Sequence, residues 1–208
     1  MLHIETVESG TLSLLKKLMM LQSLKSFSLV GGTALSLRYG HRSSADLDLF
    51  QHEKFDLKDI ENELKNVFGT DFIYESGHKN IGIFCYIQKI KVDIVYYPHH
   101  PIAEIEEVDK IRMYSNADIS AMKIQAILGR ARKKDFWDLY ELLQYYPLQQ
   151  LIDWHKQKYP SQMLTISIPN AITYFVEAEE SETPLSFKGQ TWDQIKKGIS
   201  KAVSDYLS

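Results

Sequence analysis

Residues 27–50, FSLVGGTALSLRYGHRSSADLDLF, decide the fold of this chain. Residues 27–30 have the apolar character of a short buried strand, and the Gly31-Gly32 pair that follows turns the backbone. Thr33 is expected to cap the next helix, and Gly40 is expected to end it. The segment therefore predicts a strand, a glycine turn and a helix in direct succession, an arrangement in which backbone amides can approach a phosphate group.

Two aspartates follow this unit on a second predicted strand, at residues 46–50. Because side chains alternate between the two faces of a strand, Asp46 and Asp48 share one face while the leucines beside them point into the core. A third aspartate, Asp93, lies in the middle of a predicted strand at residues 90–97, among apolar neighbours. Burying a carboxylate without a partner is costly, so this position favours a functional role for Asp93.

Three carboxylates that converge would hold a divalent metal ion. Mg²⁺ is our expectation and Mn²⁺ the alternative, since Mg²⁺ binds oxygen ligands, keeps several waters and is completed by substrate phosphates. We assign Asp46, Asp48 and Asp93 as the metal ligands, and the Gly31-Gly32 turn with Thr33 as the nucleotide-binding element. A bare Asp-x-Asp is more often a solvated strand face, but the glycine turn and the apolar setting of Asp93 favour the metal site.

A basic residue, Arg42, lies just before the aspartate pair. It would contact a phosphate or hold the carboxylates through charge-assisted hydrogen bonds. A structural salt bridge to Asp46 or Asp48 is the equal alternative. His41 is interpreted as polar surface rather than as a general base.

The second half of the chain supplies further charged candidates. Lys123, Arg130 and Lys134 would share one stripe if a single helix continued to Asp138. Such a stripe would bind the nucleotide, although a solvated helix face explains the same pattern. Asp135 and Asp138, three residues apart, would orient Lys123 or Arg130, or remove a proton from an acceptor hydroxyl.

Other predicted elements surround these residues. Helical spacing of apolar residues predicts helices at 11–24 and 56–68, and a strand at 81–87 is joined to the strand at 90–97 by a turn that lacks glycine, Gln88-Lys89.

After about residue 117 the pattern becomes helical. We predict helices at residues 119–128, 134–145, 148–158 and 191–207. Asn116 or Asp118 would cap the first of them. Residues 162–189, with prolines and an acidic group, are expected to form a loop-rich surface region or a partner contact.

Composition indicates an ordinary globular protein. The 208 residues are 44% hydrophobic and 25% charged, which predicts a real core and either one domain or two small ones. A single cysteine, Cys85, cannot form an internal disulfide, and we expect a cytoplasmic protein without a signal peptide or membrane segment. The net charge of −3 gives no global attraction for nucleic acid, although the basic group at residues 130–134 could contact phosphates.

Three blocks of this sequence, GGTALSLRYGHRSSADLDLF, KVDIVYY and DISAMKIQAILGRARKKDFWDLYELL, resemble the nucleotidyltransferase-like AbiEii/AbiGii toxin family. They occur in the expected order and span residues 27–143. The resemblance implies an α+β fold with a polymerase β-like mixed sheet and flanking helices, followed by a helical domain. We place the nucleotidyltransferase-like domain at residues 1–115 and the helical domain, which would complete the active-site cleft, at residues 116–208.

The resemblance also implies roles for individual residues. The family's Gly-Ser turn falls on Gly32 and Thr33, and its metal-binding pair falls on Asp46 and Asp48. Thr33 stands where serine is common, which keeps the hydroxyl.

In the later blocks the Lys-x-Asp strand falls on Lys91 and Asp93, and the essential helical lysine falls on Lys123. The remaining family positions are Arg130, Lys134, Asp135 and Asp138. Lys134 stands where arginine is common, which loses the bidentate fork of a guanidinium.

The function implied is a toxin of a type IV toxin–antitoxin or abortive-infection system, paired with a cognate antitoxin. It would move a nucleoside monophosphate from a nucleoside triphosphate to an acceptor hydroxyl of tRNA, with a protein side chain as the alternative acceptor. Asp93 or Asp135 is the candidate base, and Lys123 with Arg130 would neutralise developing charge. Two other functions use the same residues: a nucleotide-binding or partner-binding module without turnover, and a metal-dependent phosphohydrolase.

Overall fold

The computed structural model describes residues 1–75 and 81–208, and its centre is a mixed sheet. The strands are β1 (Ser28–Leu29), β2 (Leu47–Gln51), β3 (Phe72–Tyr74), β4 (Gly82–Ile87), β5 (Ile90–Tyr96), β6 (Glu106–Val108) and β7 (Ile111–Met113). Their order across the sheet is β3-β4-β5-β2-β1-β7-β6. The two central strands, β2 and β5, are parallel, whereas β1 runs antiparallel to β2 and parallel to β7.

Helices precede, connect and follow these strands. They are α1 (Ser9–Met20), α2 (Gly31–Tyr39), α3 (Leu57–Phe68), α4 (Asn116–Gly129), α5 (Lys133–Leu143), α6 (Leu148–Lys158), α7 (Ile168–Ile172) and α8 (Trp192–Leu207). The α3 helix contacts β3 and β4, and α2 contacts β2, α4 and α5. The helices α4 to α8 pack mainly on one another, and we propose that the boundary between the two predicted domains lies between β7 and α4.

The hairpin predicted around Gln88-Lys89 is confirmed. The β4 and β5 strands pair antiparallel, and both turn residues have positive φ, at 53° and 66°. This is the mirror-image turn that matches the twist of paired strands, although glycine and asparagine are its usual residues. Residues 109–110 make the same kind of turn between β6 and β7, with φ of 53° and 65°.

Two capping predictions are wrong. The α2 helix begins at Gly31, with Val30 at its N-cap, and no side chain caps it. Thr33 therefore lies inside the first turn, where its hydroxyl contacts Ser44 and the Asp46 carbonyl. Ser115, rather than Asn116 or Asp118, caps α4 by accepting a hydrogen bond from the amide of the third residue beyond it. Gly40 ends α2 as predicted, in the left-handed conformation.

The single helix that would carry a continuous cationic stripe does not exist. Arg130 has extended backbone, with φ −154° and ψ 105°, and it separates α4 from α5. The other predicted helices of this half are confirmed, with α6 covering the predicted residues 148–158 and Thr191 capping α8 through a capping box. The opening helix ends earlier than predicted, at Met20, and a 3-10 turn follows it.

Residues 162–189 contain the short α7 helix and a 3-10 turn, and part of this segment is tied to the loop before β2. The Ser43 amide donates to the Leu185 carbonyl at 2.9 Å, and the Phe187 amide donates to the His41 carbonyl at 3.0 Å. Arg42 and Ser186 form an isolated antiparallel bridge between these contacts. The C-terminal half therefore fixes the backbone on both sides of Arg42.

Candidate active site

Strand register sets two of the predicted carboxylates side by side. In the parallel β2–β5 pair, Asp48 is the register partner of Asp93. Adjacent strands lie about 4.8 Å apart, and residues in register on a parallel pair point to the same face. Leu47 and Leu49 are buried on the opposite face of β2, as the alternation predicted. The two aspartates therefore form a carboxylate pair on one surface of the sheet.

The glycine turn lies directly against this pair. Gly31 has φ +72°, and a Cβ added there would lie 2.8 Å from Asp48 Oδ2. The backbone just before it is anchored, because the Val30 amide donates to the Asp48 carbonyl at 2.9 Å. Glycine at this position thus meets both a conformational and a steric requirement. The arrangement leaves the first turn of α2 close to the carboxylate pair.

The electrostatic state of Asp48 reflects the pairing. Burial and the adjacent charge of Asp93 raise the pKa of the Asp48 carboxyl to about 6, against the smaller opposing effects of Lys123 and Lys91. Two anions held this closely repel each other, so a cation placed beside them would be bound favourably.

Lysines accompany the other carboxylates. Lys91 Nζ lies 2.6 Å from Asp93 Oδ2, and Lys134 Nζ lies 3.4 Å from Asp46 Oδ2. The second pair is long and more than 40% exposed on both sides, so its contribution to stability is small. The other oxygen of Asp93, Oδ1, is buried and accepts no hydrogen bond from the described residues. Such an orphaned oxygen is where a ligand or a cation would be expected.

The three predicted metal ligands do not form a ready-made three-carboxylate group. Among residues 1–75 and 81–208, no three His, Cys, Asp or Glu side chains are grouped so that they could hold a metal ion. Mg²⁺ requires only one or two protein carboxylates when phosphates and waters complete its shell. The Asp48–Asp93 pair, with its orphaned oxygen, fits a divalent cation bound together with a nucleotide. Asp46 as a third ligand stays a prediction.

A buried charge cluster, made of His41, Arg42, Lys123, Asp135 and Asp138, lies beside the pair. Asp138 accepts a bidentate fork from Arg42, at 2.7 Å to Nε and 2.8 Å to Nη2. It also contacts His41 Nε2 at 2.8 Å and Lys123 Nζ at 2.6 Å, and Lys123 reaches Asp135 at 2.9 Å. Arg42 thus pairs with Asp138, and the predicted salt bridge to Asp46 or Asp48 is wrong. The interpretation of His41 as polar surface is also wrong, because its ring is buried.

The charges in this cluster support one another. Burial opposes the ionisation of Asp138, but the charges of Arg42 and Lys123 outweigh it and hold the pKa of this carboxyl well below its usual range. Burial likewise opposes the charge on Lys123, and Asp138 and Asp135 outweigh it and raise the pKa of the ammonium group. Lys123 is therefore a fixed positive charge beside the carboxylate pair. This agrees with the prediction that Asp135 and Asp138, on α5, orient Lys123.

Gly32 accommodates the guanidinium of this cluster. A Cβ at this position would lie 2.2 Å from Arg42 Nη2, inside any allowed contact distance. The two glycines of the turn therefore have different tasks: Gly31 admits Asp48, and Gly32 admits Arg42.

A cavity of about 660 Å³ brings the predicted site residues together. It is lined by the following members of the predicted set: Gly31, Gly32, Arg42, Asp46, Asp48, Lys91, Asp93, Lys123, Arg130, Lys134 and Asp135. Thr33 and Asp138 are absent from its wall, because Thr33 is buried against the loop before β2 and Asp138 is enclosed by the charge cluster. We therefore withdraw these two residues as nucleotide contacts and regard them as positioning residues.

Some wall residues were not assigned from sequence. Arg132 belongs to the basic group at residues 130–134, which gave the only signal for it. Phe50 follows Asp48 at the period of two that defines a strand face, so its position was accessible to the same reasoning. Phe84 pairs with Asp93 across β4 and β5, and only the register reveals this. Tyr97, whose ring centroid is 5.3 Å from that of Phe50, completes an aromatic end of the cavity.

The mixed sheet with its flanking helices, the aspartate pair beside a glycine turn and Lys123 on α4 are the arrangement expected of a nucleotidyltransferase fold. The α+β fold predicted from sequence is confirmed. A family model described as nucleotidyl transferase AbiEii toxin, Type IV TA system, matches residues 13–205, and the chain belongs to this family. The protein is thus a nucleotidyltransferase of a type IV toxin–antitoxin family, which implies a nucleoside triphosphate substrate and an antitoxin partner.

Known proteins are similar to this chain in sequence or in fold. The uncharacterized protein aq_aa25 of Aquifex aeolicus is 32% identical over 200 residues, which cover 93% of this chain and 94% of the relative. The crystal structure of JHP933 from Helicobacter pylori is similar with a TM-score of 0.58 and 18% identity, covering 95% of this chain and 92% of that one. MenT4, a nucleotidyltransferase toxin from Mycobacterium tuberculosis, is similar with a TM-score of 0.56 and 13% identity, covering 95% of this chain and 86% of that one.

Within residues 1–75 and 81–208, no helix is both long enough and apolar enough to cross a bilayer.

Proposed function

We propose that the protein transfers a nucleoside monophosphate from a nucleoside triphosphate to an acceptor hydroxyl, that tRNA supplies this hydroxyl, and that Mg²⁺ is required. The observation that carries the proposal is the register of β2 and β5, which sets Asp48 beside Asp93 against the Gly31 turn. We also propose that the reaction takes place in the cytoplasm, where both substrates are found.

The divalent cation would be held by Asp48 and Asp93, with Asp46 as a further ligand. When bound, Mg²⁺ would neutralise phosphate charge and polarise the phosphoryl oxygens. Mn²⁺, which also prefers carboxylate and water ligands, would serve as a substitute.

The triphosphate would lie between the glycine turn and the basic residues across the cavity. Backbone amides at the start of α2 offer donors to phosphate oxygens, and the helix N-terminus favours their negative charge. Lys123 is fixed in place by its two aspartates, so its charge requires no rearrangement as the reaction proceeds. Arg130 and Arg132 are exposed at the rim, where they would meet the outer phosphates and the leaving pyrophosphate.

The acceptor hydroxyl would attack the α-phosphorus as its proton passes to the Asp93 carboxylate. Asp93 and Asp135 both line the cavity and each contacts a lysine, but Asp93 Oδ1 has no hydrogen-bond partner in the described part of the chain. We therefore prefer Asp93 to Asp135 as the base. A bond forms between the acceptor oxygen and the α-phosphorus, the bond to the bridging oxygen breaks, and pyrophosphate leaves.

Incubation with α-labelled triphosphates tests the proposal. Purified protein is mixed with each of the four labelled nucleotides, Mg²⁺ and total cellular RNA or protein, and label in the macromolecule and pyrophosphate release are both measured. Asp48→Asn and Asp93→Asn should each abolish both signals. Asp205→Asn, at an exposed carboxylate near the end of α8, is the matched control and should retain full activity.

Other outcomes identify other functions. Tight triphosphate binding without release of pyrophosphate would support a binding module instead of an enzyme. Release of monophosphate with no labelled macromolecule would support a phosphohydrolase. Label in protein rather than RNA would contradict the tRNA acceptor but not the transfer reaction.

A further inference from the structure

A second cavity, of about 810 Å³, adjoins the nucleotide cavity and has no assigned role. It lies where the chain leaves β5 and meets the end of α6, and Tyr97 lines both cavities. Whatever occupies the second cavity therefore lies next to the aromatic end of the first.

One wall of the second cavity is aromatic. The hydroxyl groups of Tyr97 and Tyr159 share a hydrogen bond of 2.5 Å, which fixes both rings. The ring of His99 lies 4.9 Å from that of Tyr97 and 4.8 Å from that of Tyr159, measured between centroids. Burial and the charge of Lys158 lower the pKa of His99, so its ring is neutral at physiological pH. These rings offer a stacking surface without a formal charge.

Neutral hydrogen-bonding groups also line the cavity. Gln125, Gln157 and Gln162 present carboxamides, each of which can donate and accept. Gln125 is held in place by a 3.0 Å hydrogen bond to His155, while Gln157 lies on the exposed side of α6. Stacking rings combined with paired donors and acceptors suit a planar heterocycle whose edge carries both kinds of group.

The only lysine or arginine in the described wall of this cavity is Lys158, and its charge is already neutralised. Its Nζ lies 2.6 Å from Asp118 Oδ1, and both side chains are fully buried. It also donates to the His100 carbonyl at 3.3 Å. The wall therefore lacks the free cations that a triphosphate would require, in contrast to the first cavity, where Arg130 and Arg132 lie at the rim.

We infer that the second cavity binds a nucleobase, that of the terminal nucleotide of a single-stranded acceptor RNA. This inference rests on the proposed function, since it places the acceptor next to the triphosphate. Because Tyr97 lines both cavities, a base bound in the second cavity would lie next to the nucleotide cavity, and its ribose could face the triphosphate. A free triphosphate could offer the same base, but its phosphates would find no partner there.

Fluorescence of 2-aminopurine, a base whose emission falls when it stacks, tests the inference without any turnover. The probe is a single-stranded RNA hexamer with 2-aminopurine at its 3′ end, added to the wild-type protein in the absence of nucleoside triphosphate. The matched control carries 2-aminopurine at the 5′ end of the same hexamer. Because no reaction is required, binding is measured whether or not the transfer activity exists.

Binding should quench the 3′ label and leave the 5′ label largely unchanged. His99→Ala should weaken binding of the hexamer by about 10-fold, the usual loss for one base–aromatic stack, and His99→Phe should restore most of it. Gln157→Ala, at an exposed position that leaves the fold intact, should weaken binding by about 3-fold. In the transfer assay both substitutions to alanine should raise KM for RNA and leave KM for the triphosphate unchanged.

The inference is overturned if the 3′ label is not quenched, or if His99→Ala and Gln157→Ala both bind the hexamer like wild type. It is also overturned if the free triphosphate of 2-aminopurine riboside is quenched and His99→Ala abolishes that signal, because the cavity would then bind a second free nucleotide. Failure of the transfer assay with normal quenching would contradict the proposed function alone.

Discussion

Replacing Asp138 by asparagine should destabilise the protein strongly, although the substitution changes almost no volume. Asp138 is fully buried and compensates two cations, through the bidentate contacts of 2.7 and 2.8 Å with Arg42 and the 2.6 Å contact with Lys123. The asparagine side chain carries no negative charge, and its NH₂ group would face either Arg42 or Lys123. Breaking a buried ion pair by removing one partner costs about 3–5 kcal/mol, because the remaining charges stay buried without compensation.

That loss is a large part of the stability of a domain, which is about 5–15 kcal/mol. With a urea m-value of about 2–3 kcal/mol per molar, the unfolding midpoint should fall by about 1–2.5 M. The assay is equilibrium unfolding in urea followed by far-ultraviolet circular dichroism, with Asp205→Asn as the control for loss of an exposed carboxylate. A midpoint for Asp138→Asn within about 0.3 M of wild type would refute the reasoning that Asp138 compensates two buried charges.

Three further predictions follow from the glycine turn, the β4–β5 hairpin and a buried histidine. Gly32→Ala should lower the free energy of unfolding by about 2–4 kcal/mol, since the new Cβ would lie 2.2 Å from Arg42 Nη2 and displace the guanidinium. The control is Gly129→Ala, which should cost less than about 0.5 kcal/mol because nothing lies within 4 Å of a Cβ added there. Urea unfolding of the two variants gives the comparison. Lys89→Gly should stabilise the folded protein by about 0.5–1 kcal/mol, because a φ of 66° strains a lysine but not a glycine. A thermal unfolding midpoint lower than that of wild type would contradict this prediction. Burial lowers the pKa of His155 to about 4 from an unfolded value near 6.5, so the unfolded state binds more protons between these pH values. Stability should therefore fall by about 1–3 kcal/mol as pH drops from 6.5 to 4, and His155→Gln should flatten that part of the profile in denaturant unfolding.

The local parts of the site could be predicted from sequence. The Gly31-Gly32 turn and the alternation that separates Asp48 from its leucine neighbours depend on residues within a few positions of one another. The structure confirms such short-range predictions, since Gly40 ends α2 and Thr191 caps the start of α8 where expected. Short-range steric and hydrogen-bonding rules were sufficient for them.

The long-range pairings could not be predicted from the same rules. Arg42 and Asp138 are 96 residues apart, and nothing in either segment specifies the other as its partner. The β6 and β7 strands have three residues each, and β6 begins with two glutamates, so both are too short for an alternating pattern to be detected. Each pairing is selected by tertiary packing, which a single sequence read locally does not encode.

The charge pattern on either side of the break between α4 and α5 predicted a correct grouping. Lys123, Arg130 and Lys134 would share one stripe only if a single helix continued to Asp138, whereas the apolar spacing predicted separate helices at residues 119–128 and 134–145. The chain becomes extended at Arg130, as separate helices require, yet all three residues line the nucleotide cavity. The charge pattern therefore indicated the surface that these residues share, although no continuous helix carries them.

Crystallography of the protein with Mn²⁺ and a non-hydrolysable nucleoside triphosphate tests the central claim most directly. The account predicts an anomalous scattering peak between the carboxylates of Asp48 and Asp93, at coordination distances of about 2.0–2.3 Å, with the phosphates on the amides of the Gly31-Gly32 turn. A cation bound elsewhere, or phosphates that contact neither the turn nor Lys123, would contradict it.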